Sequence, residues 1–103
     1  MIAIDLPKEQ LRDFCRKWKV TEFALFGSVT RPEEFREDSD VDVLVRWEDG
    51  AGWTFFDLVD MHDELREIFG RHVDVVSRRA IEGSRNYLRR QEILGTAVTL
   101  DVA

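Results

Sequence analysis

The sequence LFGS at residues 25–28, followed by SDVDVLV at residues 39–45, decides the fold. An apolar run ends in Gly-Ser, a polar loop of eleven residues follows, and two aspartates then stand two apart in a run of valines. Because strand side chains alternate between faces, Asp40 and Asp42 point one way and the neighbouring valines point the other. Adjacent carboxylates repel each other, and burying an unpaired carboxylate is costly. A divalent cation removes both costs, so the pattern predicts a Mg²⁺ site.

A third carboxylate, Asp74, lies in the run HVDVV at residues 72–76. If Val73 and Val75 face the helices, Asp74 faces the opposite side, and we expect the strands to bring it to the edge that carries the Asp-x-Asp pair. Beside a Gly-Ser turn, three carboxylates suit metal-assisted phosphoryl or nucleotidyl transfer, because glycine lets the backbone approach a phosphate and serine donates to it. Two metals about 3.5–4 Å apart would clamp the attacking and leaving oxygens. The remaining carboxylate would accept the proton of the attacking hydroxyl.

The rest of the chain alternates helical and strand patterns. Pro7 suits the first turn of a helix that Asp5 would cap, and Gly70 suits the end of a longer helix. The predicted order is helix 7–18, strand 22–26, helical turn and loop 29–39, strand 41–47, helix 53–69, strand 72–77, helical piece 78–81, helix 85–94 ended by Gly95, and edge strand 97–102. This order predicts an α/β (α+β) fold, a small mixed sheet with helices packed on it, as one domain over residues 1–103.

Composition limits the classes of function. The formal net charge is −6, with 15 basic and 21 acidic residues, which argues against direct nucleic-acid binding. Cys15 is the one cysteine, so an internal disulfide and a cysteine-based zinc site are excluded. No apolar run approaches the roughly 18 residues of a membrane span, so we expect no membrane association and a cytoplasmic location.

These residues resemble the nucleotidyltransferase domain of the DNA polymerase beta superfamily, and the size resembles its minimal stand-alone branch, the MNT domains. The resemblance extends from Pro7 to about Asp101. It implies a fold like the polymerase beta palm, ATP as substrate and two Mg²⁺ ions. It also implies roles for five residues. Gly27 and Ser28 would hold the triphosphate, Asp40 and Asp42 would bind metal, and Asp74 would contact a metal and help to activate the acceptor.

Two further residues are weaker nucleotide-binding candidates. Arg31 matches an arginine often found shortly after the Gly-Ser pair in this family. Many minimal members have glycine after that arginine and a loop one residue shorter, whereas Pro32 follows here and the loop has eleven residues. Ser39 stands directly before the Asp-x-Asp pair, where it would contact the nucleotide or simply form a local hydrogen bond.

Minimal domains of this kind resemble the antitoxin halves of HEPN/MNT toxin–antitoxin pairs. The resemblance implies a HEPN ribonuclease as partner and transfer of AMP from ATP to a tyrosine of that toxin. The 103 residues hold a catalytic core but no second domain for an acceptor, so we expect a partner to supply it. The acidic balance suits a basic partner.

Two other functions remain open. The chain would also serve as an antitoxin that neutralises its toxin by binding alone. It would otherwise transfer a nucleotide to a small molecule, although such enzymes carry extra substrate-binding segments, which this chain would have to supply by oligomerisation. The Asp-x-Asp pair by itself is also compatible with a solvated strand face.

Several other residues have simpler interpretations. We expect His62 on the side of a helix and His72 at the surface, neither as a metal ligand. The aromatic residues around the turn at 48–52 are either core or, where exposed, an interface anchor; they are Trp47, Trp53, Phe55 and Phe56. The arginines near the C-terminus predict a solvated helical face; they are Arg78, Arg79, Arg85, Arg89 and Arg90.

Overall fold

The computed structural model describes residues 2–103 and shows a four-stranded mixed sheet with helices on both faces. This confirms the predicted fold class. In chain order the elements are α1 (Lys8–Lys17), β1 (Val20–Phe26), a 3-10 turn (Gly27–Thr30), β2 (Val41–Trp47), α2 (Phe55–Phe69), β3 (Val73–Ser77), α3 (Arg78–Glu82), α4 (Tyr87–Thr96) and β4 (Val98–Thr99). Within these described residues, no helix has both the length and the apolar character needed to cross a bilayer.

The strand order is β3-β2-β1-β4. Strand β1 pairs antiparallel with β2 on one side and with β4 on the other. Strands β2 and β3 run parallel, joined by the crossover through α2, and their register places Asp42 beside Asp74. A parallel pair starts at the same edge of the sheet, so the first residues of β2 and β3 meet there.

The valine run of β2 is buried as the alternation predicts. Val41, Val43 and Val45 have no solvent exposure and belong to the larger core, which lies between the sheet and helices α1 and α2. A smaller core on the opposite face packs α3 and α4 against the sheet through Ala24, Leu44, Ile81 and Ile93. Because Asp42 is two residues from Leu44, the carboxylates lie on the face of this smaller core.

The two ends of α2 follow from local chemistry. The helix begins at Phe55, two residues later than predicted, because Thr54 and Asp57 form a reciprocal capping box. Gly70 ends it with a φ of 69°, the left-handed conformation that glycine adopts most easily. The end at Gly70 was predicted correctly. Phe55 was expected to be either core or an exposed interface anchor, and its side chain is 74% exposed.

The predictions for the start of α1 and for the end of α4 were wrong. Pro7 occupies the N-cap position of α1 and no side chain caps the helix, so Asp5 does not have the predicted role. Gly95 does not end α4, which continues to Thr96. Gly95 has no positive φ, so it behaves as an ordinary helical residue. Strand β4 is also shorter than predicted, since only Val98 and Thr99 form it.

The buried side of α2 should control stability. Leu65 has no solvent exposure and packs in the larger core, so Leu65→Ala should lower the free energy of unfolding by about 2–5 kcal/mol. Leu88→Ala is a matched control, because Leu88 is 76% exposed and its loss should change stability by less than about 0.5 kcal/mol. Urea denaturation followed by circular dichroism measures both. Equal losses in the two variants would contradict this assignment of the core.

Candidate active site

Four side chains lie on one face of the sheet where β2 and β3 begin, and each of two adjacent rows holds one side chain from each strand. The parallel register pairs Asp42 with Asp74, and the N–H of Val41 donates to the carbonyl of His72 at 3.0 Å. Side chains two residues apart share a face, so Asp40 lies beside His72 one row nearer the edge. The three aspartates predicted to meet are therefore brought together, on the face opposite the valines.

His72 is part of this group, although it was expected to have no role at a metal site. Its Nδ1 lies 3.4 Å from Oδ2 of Asp40 and 3.9 Å from Oδ1 of Asp74. One oxygen or nitrogen from each of the three residues lies within 4.8 Å of the others. The signal was present in the sequence, because His72-x-Asp74 repeats the alternation of Asp40-x-Asp42 in the neighbouring strand.

The surroundings of Asp42 disfavour the charged form of its carboxyl group. Burial raises the pKa of its carboxyl group to about 6, and the negative charges of Asp74 and Asp40 add to this rise. The positive charge of Arg31 acts in the opposite direction but does not overcome it. An ionised Asp42 therefore lacks sufficient compensating charge from the protein itself, and a cation bound between the carboxylates would supply it.

Gly27 allows the backbone to turn directly against Asp42. Its φ is 75°, and a Cβ at this position would overlap Oδ2 of Asp42 and lie 3.2 Å from its Cγ. The turn is also held by the Thr30 hydroxyl, which donates to the Gly27 carbonyl at 2.7 Å. A glycine is thus required here by conformation and by space, which brings the Gly-Ser turn to the edge of the carboxylate group.

The other nucleotide-binding candidates lie around this turn. The carbonyl of Ser28 accepts the N–H of Arg31 at 2.9 Å. The Arg31 guanidinium forms an ion pair with Glu34 while still acting on the charge of Asp42. The Ser39 hydroxyl accepts the N–H of Arg36 at 2.9 Å, so it stabilises the loop. Nucleotide contacts by Ser28, Arg31 and Ser39 remain predictions.

Arg71 holds the loop that leads into the site, and sequence reasoning missed it. Its Nη1 donates to the carbonyl of Arg36 at 3.2 Å and to that of Ser39 at 3.1 Å. Its guanidinium carbon lies 4.6 Å from the ring centre of Phe35. Since Arg71 directly precedes His72, these contacts connect the start of β3 to the residue before Asp40 and fix the two rows relative to each other.

The donor set fits a hard divalent cation. Asp40, Asp42 and Asp74 offer carboxylate oxygens from two adjacent strands, and oxygen is the ligand that Mg²⁺ prefers. The side chains of Asp40 and Asp74 are 47% and 54% exposed, which leaves room for water and for a substrate phosphate beside them. Mg²⁺ commonly keeps such ligands in nucleotide-processing sites.

Comparison with known proteins agrees with this geometry. Residues 7–96 match the model of the nucleotidyltransferase domain family. A protein of Methanocaldococcus jannaschii, MJ0435, whose name describes it as an inferred protein adenylyltransferase, is 36% identical over 91 residues. That match covers 88% of this chain and 90% of the relative.

Two solved structures share the fold. One, described as a minimal nucleotidyltransferase, superposes with a TM-score of 0.69 at 35% identity and covers 90% of this chain and 88% of its own. The other, a toxin–antitoxin structure with AMP-PNP, has a TM-score of 0.67 at 21% identity and covers 91% of this chain and 72% of its own. At that identity the second likeness concerns the fold alone.

Adding a methyl group at Gly27 should disrupt the site. Gly27→Ala combines left-handed strain with displacement of the Asp42 carboxylate, so it should lose more than about 1–2 kcal/mol of stability and weaken Mg²⁺ binding. Gly50→Ala is the matched control, because Gly50 has a φ of 77° but open space around it. Urea denaturation and calorimetric Mg²⁺ titration give the two readouts. Undiminished Mg²⁺ binding by a folded Gly27→Ala protein would contradict the close approach to Asp42.

Removing the charge of Asp42 should stabilise the metal-free protein. The raised pKa of Asp42 means that its contribution to stability is present at low pH and is lost as the pH rises through about 6. Asp42→Asn should therefore raise the Tm at a pH of about 7.5, with a gain that shrinks as the pH falls toward about 4.5. Mg²⁺ should stabilise the wild type and not the variant. Differential scanning calorimetry measures this, with Asp13→Asn, at an exposed position, as control.

Proposed function

The chain belongs to the nucleotidyltransferase domain family, and on that premise we propose that it transfers AMP from ATP to a hydroxyl of a partner protein. The partner is a HEPN-type toxin, the acceptor is a tyrosine, and the chain acts as the antitoxin. The single observation that carries this proposal is the group of three carboxylates, Asp40, Asp42 and Asp74, placed against the Gly27 turn.

Each residue of the group has a part in the transfer. Asp40 and Asp42 would hold Mg²⁺, and the Gly27–Ser28 turn would receive the triphosphate through its backbone N–H groups and the serine hydroxyl. Bound Mg²⁺ neutralises charge on the phosphates. The acceptor oxygen forms a bond to the α-phosphorus, the bond to the bridging oxygen breaks, and pyrophosphate leaves. Asp74 accepts the proton of the attacking hydroxyl.

Three observations support a protein as acceptor. The side chains around the site are about half exposed, so a large substrate can reach them from solvent. The relative MJ0435 is named for adenylylation of proteins, and the toxin–antitoxin structure of the same fold contains an ATP analogue. The net charge of −6 favours a basic partner, as an RNA-cleaving toxin would be.

Neutralisation by binding alone is the second candidate, and one surface feature favours it. Phe55 and Phe56 are 74% and 78% exposed, and their rings contact each other edge to face at a centroid distance of 6.2 Å. Exposed aromatic side chains are typical anchors of protein interfaces. A stable complex would therefore form whether or not transfer follows.

The proposed transfer should depend on the carboxylates and not on the fold. Incubation of the candidate toxin with this protein, ATP and Mg²⁺ should add one or more AMP units to the toxin, measured by intact mass spectrometry. Peptide fragmentation should locate the AMP on tyrosine. The Asp40→Asn/Asp42→Asn variant keeps the shape of both side chains and should lower the rate by at least about 100-fold, because it removes the charge that positions the metal and the triphosphate.

An exposed pair elsewhere supplies the control. Asp13→Asn/Asp49→Asn removes the same amount of charge at positions that are 76% and 82% exposed, and it should leave the rate unchanged. Undiminished transfer by the folded double variant of the site would reject the proposed mechanism. A stable complex without any transfer by the wild type would favour neutralisation by binding.

A further inference from the structure

We propose that His72 is a nitrogen ligand of the cation site, beside Asp40 and Asp74, and that it makes the site prefer a divalent transition ion over Mg²⁺. This inference rests on the proposed function, because the site is the same. It adds one ligand to the carboxylates that the sequence identified, and it changes the class of metal that the site selects.

The distances fit a shared ion. Two ligand atoms that each lie about 2.1 Å from one ion are separated by about 3 to 4.2 Å, depending on the angle between them. Nδ1 of His72 lies 3.4 Å from Oδ2 of Asp40 and 3.9 Å from Oδ1 of Asp74, so both separations fall in this interval. All three ligand atoms, including the two carboxylate oxygens, lie within 4.8 Å of one another.

The backbone fixes His72 in this position. Its carbonyl accepts the N–H of Val41, which locks the start of β3 against the start of β2. The alternation of the strand then directs His72 and Asp74 to one face, as it directs Asp40 and Asp42. Arg71 adds a second connection between the strands through the Ser39 carbonyl. The imidazole is therefore held at the carboxylates by strand register and not by a flexible loop.

The chemistry of imidazole sets the metal preference. Nitrogen is a softer ligand than carboxylate oxygen, so an added imidazole favours transition ions over Mg²⁺. Mn²⁺ is a suitable probe because it accepts carboxylate and imidazole ligands. The group contains two carboxylates within reach of the ring, and a bound divalent ion would balance their charge.

A purely electrostatic role for His72 makes the opposite prediction. A protonated His72 would form ion pairs with Asp40 and Asp74, and an incoming cation would have to displace it. Removing the ring would then leave Mn²⁺ binding equal or tighter. If His72 is a ligand, removing the ring makes Mn²⁺ binding weaker, so the sign of the change distinguishes the two roles.

The chain offers a matched control for this test. It has two histidines, and the other one, His62, has its Nδ1 2.9 Å from the Leu58 carbonyl within α2. We expect His72→Gln to raise the Kd for Mn²⁺ about tenfold or more and the Kd for Mg²⁺ less than about threefold. His62→Gln should change neither. Isothermal titration calorimetry of the full chain with each metal alone measures these constants.

Pulsed electron paramagnetic resonance of the Mn²⁺-loaded chain gives a direct readout. The wild type and His62→Gln should show a ¹⁴N coupling from a coordinated imidazole, and His72→Gln should not. Mn²⁺ bound without this coupling, or bound equally tightly by His72→Gln, would overturn the inference. AMP transfer with Mg²⁺ is measured in parallel. Transfer without the ¹⁴N coupling rejects only the ligand role of His72, whereas the coupling without transfer rejects only the proposed function.

Discussion

The parallel pairing of β2 with β3 is the constraint on which the site depends. It places Asp42 beside Asp74, with Asp40 two residues away on the same face, and so creates a concentration of negative charge that folding alone would avoid. Hydrophobic burial on the opposite face offsets this electrostatic cost, because Val41 and Val43 are fully buried in the larger core. The favourable burial and the electrostatic cost thus arise from alternate residues of one strand.

The sequence was sufficient for features that depend on one element. The alternation in β2 identified the face of Asp40 and Asp42, and Gly70 identified the end of α2. Features that depend on contact between two elements were harder to predict from the sequence. His72 shares the alternation of Asp74, yet its contact with Asp40 follows from the register between β2 and β3, which neither strand specifies alone. The wrong expectation for Gly95 has a local cause, since α4 ends in an extended residue, Ala97, and not in the left-handed conformation that favours glycine.

The loop before Asp40 departs from the pattern that the resemblance implies, and its end is nevertheless held in place. The resemblance to the minimal branch leads one to expect a loop one residue shorter and a glycine where Pro32 stands. Arg71 holds the last part of the loop through the carbonyls of Arg36 and Ser39. Bonds to backbone carbonyls depend on where the loop ends and not on which side chains it carries. These two bonds therefore fix the entry to β2.

Helix α2 connects two regions that have different chemistry. Its C-terminal end leads through Gly70 to Arg71 and His72 at the site, while its N-terminal end exposes Phe55 and Phe56. The helix has 15 residues, and at about 1.5 Å per residue the two ends are separated by about 22 Å. Loss of charge at the carboxylates cannot directly alter an apolar surface at that distance, since exposed charges are screened within about 10 Å at moderate ionic strength. The proposed transfer at one end and the proposed aromatic contact at the other are therefore physically separable, so a loss of transfer in a carboxylate variant would report on the site itself.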